Sequence, residues 1–119
     1  IGRIVTVASI AGKVGGGYLG TAAYAAAKAG VISLTKSVAK AGSEKNIYCN
    51  SLCPAYPKTP LVATRLTGEK EAKVLAAMNL HRAAAPEEVA NGVLFLASDA
   101  ASFVQGENLN CDGGMLMNG

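Results

Sequence analysis

The order of three segments narrows the fold of this chain more than any other feature. A short apolar run, Ile4-Val5-Thr6-Val7-Ala8, is followed by a long alanine-rich stretch that reads as helix throughout, and then by a second strand-like run, Ile47 to Cys53, which Pro54 ends. A brief, continuous apolar run is what a strand buried on both faces of a parallel sheet requires. Thr21 predicts a cap for the long helix, which runs to about Ala41 with Gly42 as its stop. Ile10 to Gly20 is glycine-rich and predicts a mobile loop over the site. Pro54, Pro57 and Pro60 predict a stretch without regular structure, leaving the carboxyl end of a strand, where open α/β sheets bind ligands. A weak helix from Glu69 to Met78 would lie over that cleft. Pro86, with Glu87 and Glu88 behind it, opens a firm helix to about Ser98, and Glu107 to Cys111 is the last strand. The fold class is therefore α/β. Three strand candidates fall short of the roughly six in a complete doubly wound sheet.

Tyr24 and Lys28 stand one helical turn apart, on the same face of the long helix. A free phenol, with a pKa of about 10, is a poor acid or base at neutral pH, and a cation nearby favours its phenolate. Ser9 ends the first strand run. A hydroxyl there, beside a helix-borne Tyr-Lys pair, can polarise a carbonyl while the Tyr moves a proton.

Ser9 and the run Tyr24-Ala25-Ala26-Ala27-Lys28-Ala29-Gly30-Val31 resemble the catalytic core of the short-chain dehydrogenases/reductases. Further blocks match in order. Asn50-Ser51-Leu52-Cys53-Pro54-Ala55 is similar to the family's Asn…Pro-Gly strand end, and Thr59-Pro60-Leu61-Val62 to the segment after it. Arg82 with Pro86-Glu87-Glu88-Val89-Ala90, Phe95-Leu96-Ala97-Ser98-Asp99, and Gly106-Glu107 through Asp112-Gly113-Gly114 resemble the late helix, its exit and the final strand. The resemblance spans nearly the whole chain. It implies the C-terminal half of a Rossmann-like doubly wound parallel sheet with flanking helices, residues 1–119 being a partial NAD(P)-binding domain. The Gly-rich turn of the family's first half, which cradles the cofactor pyrophosphate, has no counterpart: Gly15-Gly16-Gly17 leads to Tyr18-Leu19-Gly20 rather than opening a helix after a strand.

The resemblance implies an alcohol–carbonyl oxidoreductase. Tyr24 would be the general acid or base, Lys28 would hold the nicotinamide ribose hydroxyls, and Ser9 would hydrogen-bond the substrate oxygen. Pro54, Ala55, Pro57 and Thr59 would line the nicotinamide side. Two of these depart from the family pattern: Ala55 replaces the usual Gly, and Pro57 has no N–H for the carboxamide. NAD and NADP are both open. Cys53-Pro54 and Thr59 to Val62 are similar to members acting on 3-hydroxybutyrate, and the segment after Val62 to reductases of 3-oxoacyl thioesters. The Tyr24 helix, the helix after Pro86 and the last strand would join subunits into a homo-oligomer, a dimer or tetramer. The alternative is a non-catalytic remnant serving only as an assembly module. Tyr18 would touch substrate or merely cover the cleft.

Composition adds exclusions. Half the residues are hydrophobic and the mean hydropathy is positive, so the apolar faces need a partner to bury against. No stretch reaches the roughly 18–20 apolar residues of a membrane span, and the start lacks the pattern of a signal peptide. The net charge of +3 is dispersed, which predicts no nucleic-acid partner, and Lys36, Lys40 and Lys45 read as a solvated face. Three cysteines, Cys49, Cys53 and Cys111, fit a reduced, cytoplasmic protein. Cys49 and Cys53 share one side of a strand and read as buried thiols rather than metal ligands. His81, in a polar link, reads as surface rather than general base.

Overall fold

The computed structural model describes residues 1–17 and 20–118. Its described part is an open parallel sheet of three strands, β1 (Gly2–Val7), β2 (Ile47–Pro54) and β3 (Asn108–Cys111), in the order β1-β2-β3. Val7 pairs with Leu52, and Pro54 with Cys111, so the carboxyl ends of the three strands come together at one end of the sheet. This is the α/β half-sheet that the sequence implies.

Helix α2 (Ala22–Gly42) crosses one face of the sheet. Its buried line, Ala25, Thr35, Ala39 and Gly42, carries small side chains, so the helix lies close to its neighbours. Thr35 is fully buried, and its hydroxyl meets the Thr6 hydroxyl of β1 at 2.7 Å. Cys49 and Cys53 are buried, as their spacing suggested, and burial raises both thiol pKa values. Helix α5 (Pro86–Ala97) covers the other face, where Gly92 lets it approach Leu52: a Cβ added at Gly92 would stand 2.7 Å from a Leu52 methyl.

Several expectations need correction. The stretch from Ile10 to Gly20 is not all loop, because a short helix, α1 (Ala11–Val14), occupies it; Tyr18 and Leu19 lie outside the described residues. Gly42 does not stop the long helix. It is the last residue of α2, φ −86°, and the chain turns after a 3-10 segment at Asn46, φ 57°. Gly42 is small for a different reason: an added Cβ would meet Ile47 Cβ at 2.9 Å. Pro60 does not forbid structure but opens α3 (Pro60–Arg65) as its first residue, with the Thr59 hydroxyl accepting from Val62 N. The helix expected from Glu69 is α4 (Gly68–Ala77). Strand β1 is not buried on both faces, since Ile4 and Val7 are 43% and 48% exposed. It is the edge of the described sheet, and the helices on either face reach only its inner side.

Two side-chain brackets hold the other edge. Asn50, 1% exposed, donates to Val104 O and accepts from Glu107 N, fixing the approach to β3. Gln105 accepts from Cys49 N and donates to Ala39 O and Ile47 O, joining α2, β2 and the turn.

Helix α5 begins with Pro86, and Glu88 reaches back to accept from Ala85 N at 2.8 Å while pairing with Arg82 through both carboxylate oxygens. The Arg82 hydrogen bonds first, then the Ala85 N–H, pull the Glu88 carboxyl down to about 2 from its usual 4.5. Because the folded value lies below the unfolded one, the resulting stability is complete above pH 4.5 and is lost as the pH falls toward 2. Glu88→Gln should therefore flatten the acid limb of a plot of Tm against pH. Superimposable limbs for the two proteins would remove this cap from the account.

Candidate active site

The sequence-predicted groups meet at the carboxyl end of β1. Lys28 Nζ donates to Val7 O at 3.0 Å and stands 5.8 Å from the centroid of the Tyr24 ring. Ala8 N donates to Leu52 O of β2. Backbone groups alternate sides along a strand, so the Val7 carbonyl points to the free edge, where the Lys28 ammonium satisfies it. Tyr24 is 41% exposed, leaving its phenol accessible. The Thr21 hydroxyl accepts from Tyr24 N, which places Tyr24 in the first turn of α2.

Ser9 lies just beyond β1, after Ala8, and is buried, its hydroxyl oxygen accepting from Ala11 N at 3.1 Å. The next residue, Ile10, donates its N–H to Pro54 O, so the Ser9 segment is tied to the end of β2. Helix α1 then lies against α2 beside Lys28. A Cβ added at Gly12 would stand 2.7 Å from the backbone of Lys28 and Ala29. Glycine at position 12 thus lets the serine-bearing segment reach the Tyr-Lys helix. Gly20 does a similar service for Tyr24, since its added Cβ would fall 2.6 Å from the ring.

Sequence reasoning missed Lys13. Its ammonium donates to Asn108 O at 2.8 Å and also reaches Asn110 Oδ1, anchoring α1 to β3 across most of the chain. A lysine in a glycine-rich loop carries no signal of so distant a partner.

The residues expected on the nicotinamide side are held by the loop between β2 and α3. Ala55 is half-buried against the cluster of Ala8, Ile10 and Cys53. Its φ is not positive, so the backbone there does not demand glycine. Pro57 bridges to Ala84, and the next amide along, that of Lys58, donates to Ala84 O. Thr59 caps α3. His81 is exposed, with its ring 3.1 Å from Leu75 O and no part in this patch. Among the described residues no cluster of His, Cys, Asp and Glu could hold a metal ion, and no helix is long and apolar enough to cross a membrane. Among the described residues, a cavity of about 410 Å³ lies beside Tyr56, Arg82 and Cys111, and one of about 570 Å³ beside Lys13, Lys36 and Glu107.

A family model described as enoyl-(acyl carrier protein) reductase matches residues 1–116. The chain belongs to the short-chain dehydrogenase/reductase family. The 3-oxoacyl-[acyl-carrier-protein] reductase FabG of Escherichia coli is 40% identical over 116 residues, 98% of this chain and 46% of FabG. The cis-4-hydroxycyclohexanecarboxylate dehydrogenase of Sinomonas cyclohexanicum is 48% identical over 113 residues, 95% of this chain and 44% of the relative. A solved structure named ribose-5-phosphate isomerase, from Brucella melitensis 16M, superposes with a TM-score of 0.89 at 38% identity, covering 99% of this chain and 45% of that one. The chain thus spans less than half the length of these relatives, and its sheet is a Rossmann-like half.

Gly12→Ala tests the contact that unites the site in this short-chain dehydrogenase/reductase chain. The added methyl meets backbone rather than a movable side chain, so the cost should be at least that of overpacking, about 1–3 kcal/mol, read as a fall in Tm. A variant as stable as the parent would show that α1 does not press on α2.

Proposed function

We propose that the protein carrying this chain is an oxidoreductase that interconverts an alcohol and a carbonyl with NAD(P)(H), and that these 119 residues supply its proton-transfer groups. The supporting observation is the placement of the Lys28 ammonium between the Tyr24 ring and the end of β1, on a helix packed against the Ser9 segment. Tyr24 gives a proton to the carbonyl oxygen in reduction and takes it in oxidation. Ser9 donates its hydroxyl proton to that oxygen as charge builds on it; its oxygen accepts from Ala11 N, a bond that does not use the proton. Lys28, free to leave an exposed carbonyl, holds Tyr24 in an electropositive setting and donates to ribose hydroxyls.

The donor set fits a nicotinamide nucleoside in part. Lys28, Tyr24 and the Thr59 hydroxyl suit its hydroxyl and amide groups, whereas Pro57 offers no N–H. Bound there, the nicotinamide supplies the hydride. Pro54 and Ala55 would line the nicotinamide side. The name of FabG makes 3-oxoacyl thioesters the first carbonyl substrates to try.

Kinetics of reduced-nicotinamide oxidation by the whole protein provide the test. Tyr24→Phe should lower kcat by about 10²–10⁴-fold and leave cofactor affinity nearly intact, because only the transferable proton is lost. Lys28→Met should damage both rate and affinity. A Tyr24→Phe protein that keeps more than roughly a tenth of kcat is incompatible with such a general acid. A second reading, an assembly module, draws on exposed apolar groups of the α5 region, Leu94, Phe95 and the fully exposed Phe103. A protein inert with both NADH and NADPH that sediments as a stable dimer or tetramer would favour it.

A further inference from the structure

Tyr56 is 2% exposed, its ring packed among Leu66, Val74 and Met78. Its hydroxyl donates to Glu71 Oε2 of α4 at 2.6 Å. Burial first, and then Glu71, push its pKa up to about 12, so the phenol stays a donor throughout the physiological range. Among the described residues, no other side chain of Gly68–Ala77 makes a hydrogen bond or ion pair beyond its own helix. The backbone around the same tyrosine is fixed by the Ala84 segment: Tyr56 O accepts from Ala84 N and Lys58 N donates to Ala84 O, while Thr59 N donates to Pro57 O within the loop. The loop from Pro54 to Thr59 is therefore gripped between the Ala84 segment and α4, with Tyr56 as the residue shared by both grips. Met115 packs against this cluster and against that of Ala8, Ile10 and Cys53, so a shift of α4 is felt at the floor of the site.

We propose that Tyr56 and Glu71 form a clasp that positions the Pro54–Thr59 loop and sets how firmly that loop holds a nicotinamide cofactor. This rests on the function proposed above. Both are positioning residues: neither faces the reacting atoms, and they act through Ala55 and Thr59. A phenol donating to a carboxylate is among the stronger hydrogen bonds in proteins, and the half-buried Glu71 can rehydrate when it is lost, so either partner can be changed without stranding a charge.

Tyr56→Phe keeps the ring and its packing. It should raise KM for the cofactor by about tenfold while kcat at saturation stays within about twofold, since the proton-transfer groups are untouched. Glu71→Ala should do the same, and the double variant should be no worse than either single one. Glu71→Gln, which keeps a carbonyl acceptor for the phenol, should recover most of the affinity. Backbone hydrogen exchange across residues 68–77, measured on the whole protein without cofactor, should rise alike in Tyr56→Phe and Glu71→Ala. Unchanged exchange, additive variants, or a loss of kcat with KM unmoved would each overturn the clasp. If the parent protein turns over no nicotinamide substrate, the proposed function fails, and the exchange measurement alone decides whether the clasp exists.

Discussion

Everything at the candidate site follows from how closely α2 lies on the sheet. The helix presents alanines, a threonine and a terminal glycine to β1 and β2, and Thr35 meets Thr6 hydroxyl to hydroxyl at 2.7 Å. The same closeness recurs where α1 crosses α2 at Gly12 and where α2 ends at Gly42. Close-packed interiors do not deform continuously, so these contacts fix both the height and the rotation of α2. Rotation decides which way Tyr24 and Lys28 point. With the small residues against the strands, the Tyr-Lys pair is turned to the carboxyl end of β1 and the lysines further along, Lys36 and Lys40, to solvent.

A second group of interactions ties the loops to this frame. Ile10 and Pro54 join the ends of β1 and β2 through one backbone hydrogen bond. Lys13 ties α1 to β3, Asn50 ties β2 to the turn before β3, and Tyr56 ties the exit of β2 to α4. Each is a polar group buried or partly buried with its partner found, which is the condition for such groups to hold structure rather than weaken it. Asn50, which the sequence offers as part of a strand-end motif, is thus a bracket in the fold.

What the sequence made legible were features written in local pattern. The apolar run at Ile4, the cap at Thr21, the proline at 86 and the Tyr-x-x-x-Lys spacing each report a local backbone or surface requirement, and the strands and long helices stand within a few residues of expectation. Features set by tertiary contact were not legible. Gly42 looks like a helix stop, but its smallness answers to Ile47. Pro60 looks like a breaker, yet at a first helical position its missing N–H costs nothing. Glycine-rich Ile10 to Gly20 looks like loop, and Gly12 instead allows a helical turn to dock. The run from Ile4 to Ala8 reads as a strand that wants cover on both faces, and in the described sheet it stands at an edge with Ile4 and Val7 exposed. At the site, Ser9, Tyr24 and Lys28 came from spacing and motif, whereas Lys13 and Tyr56 depend on partners far away in sequence.

The central claim is that Lys28 and Tyr24 mark where a nicotinamide ribose sits, and a crystal structure of the whole protein with NAD(H) or NADP(H) tests it most directly. The account predicts ribose hydroxyls at hydrogen-bond distance, about 3 Å, from Lys28 Nζ, with the nicotinamide ring lying over the Pro54–Thr59 loop. A cofactor bound with its ribose away from Lys28, or a folded protein whose crystals take up neither dinucleotide, would contradict it.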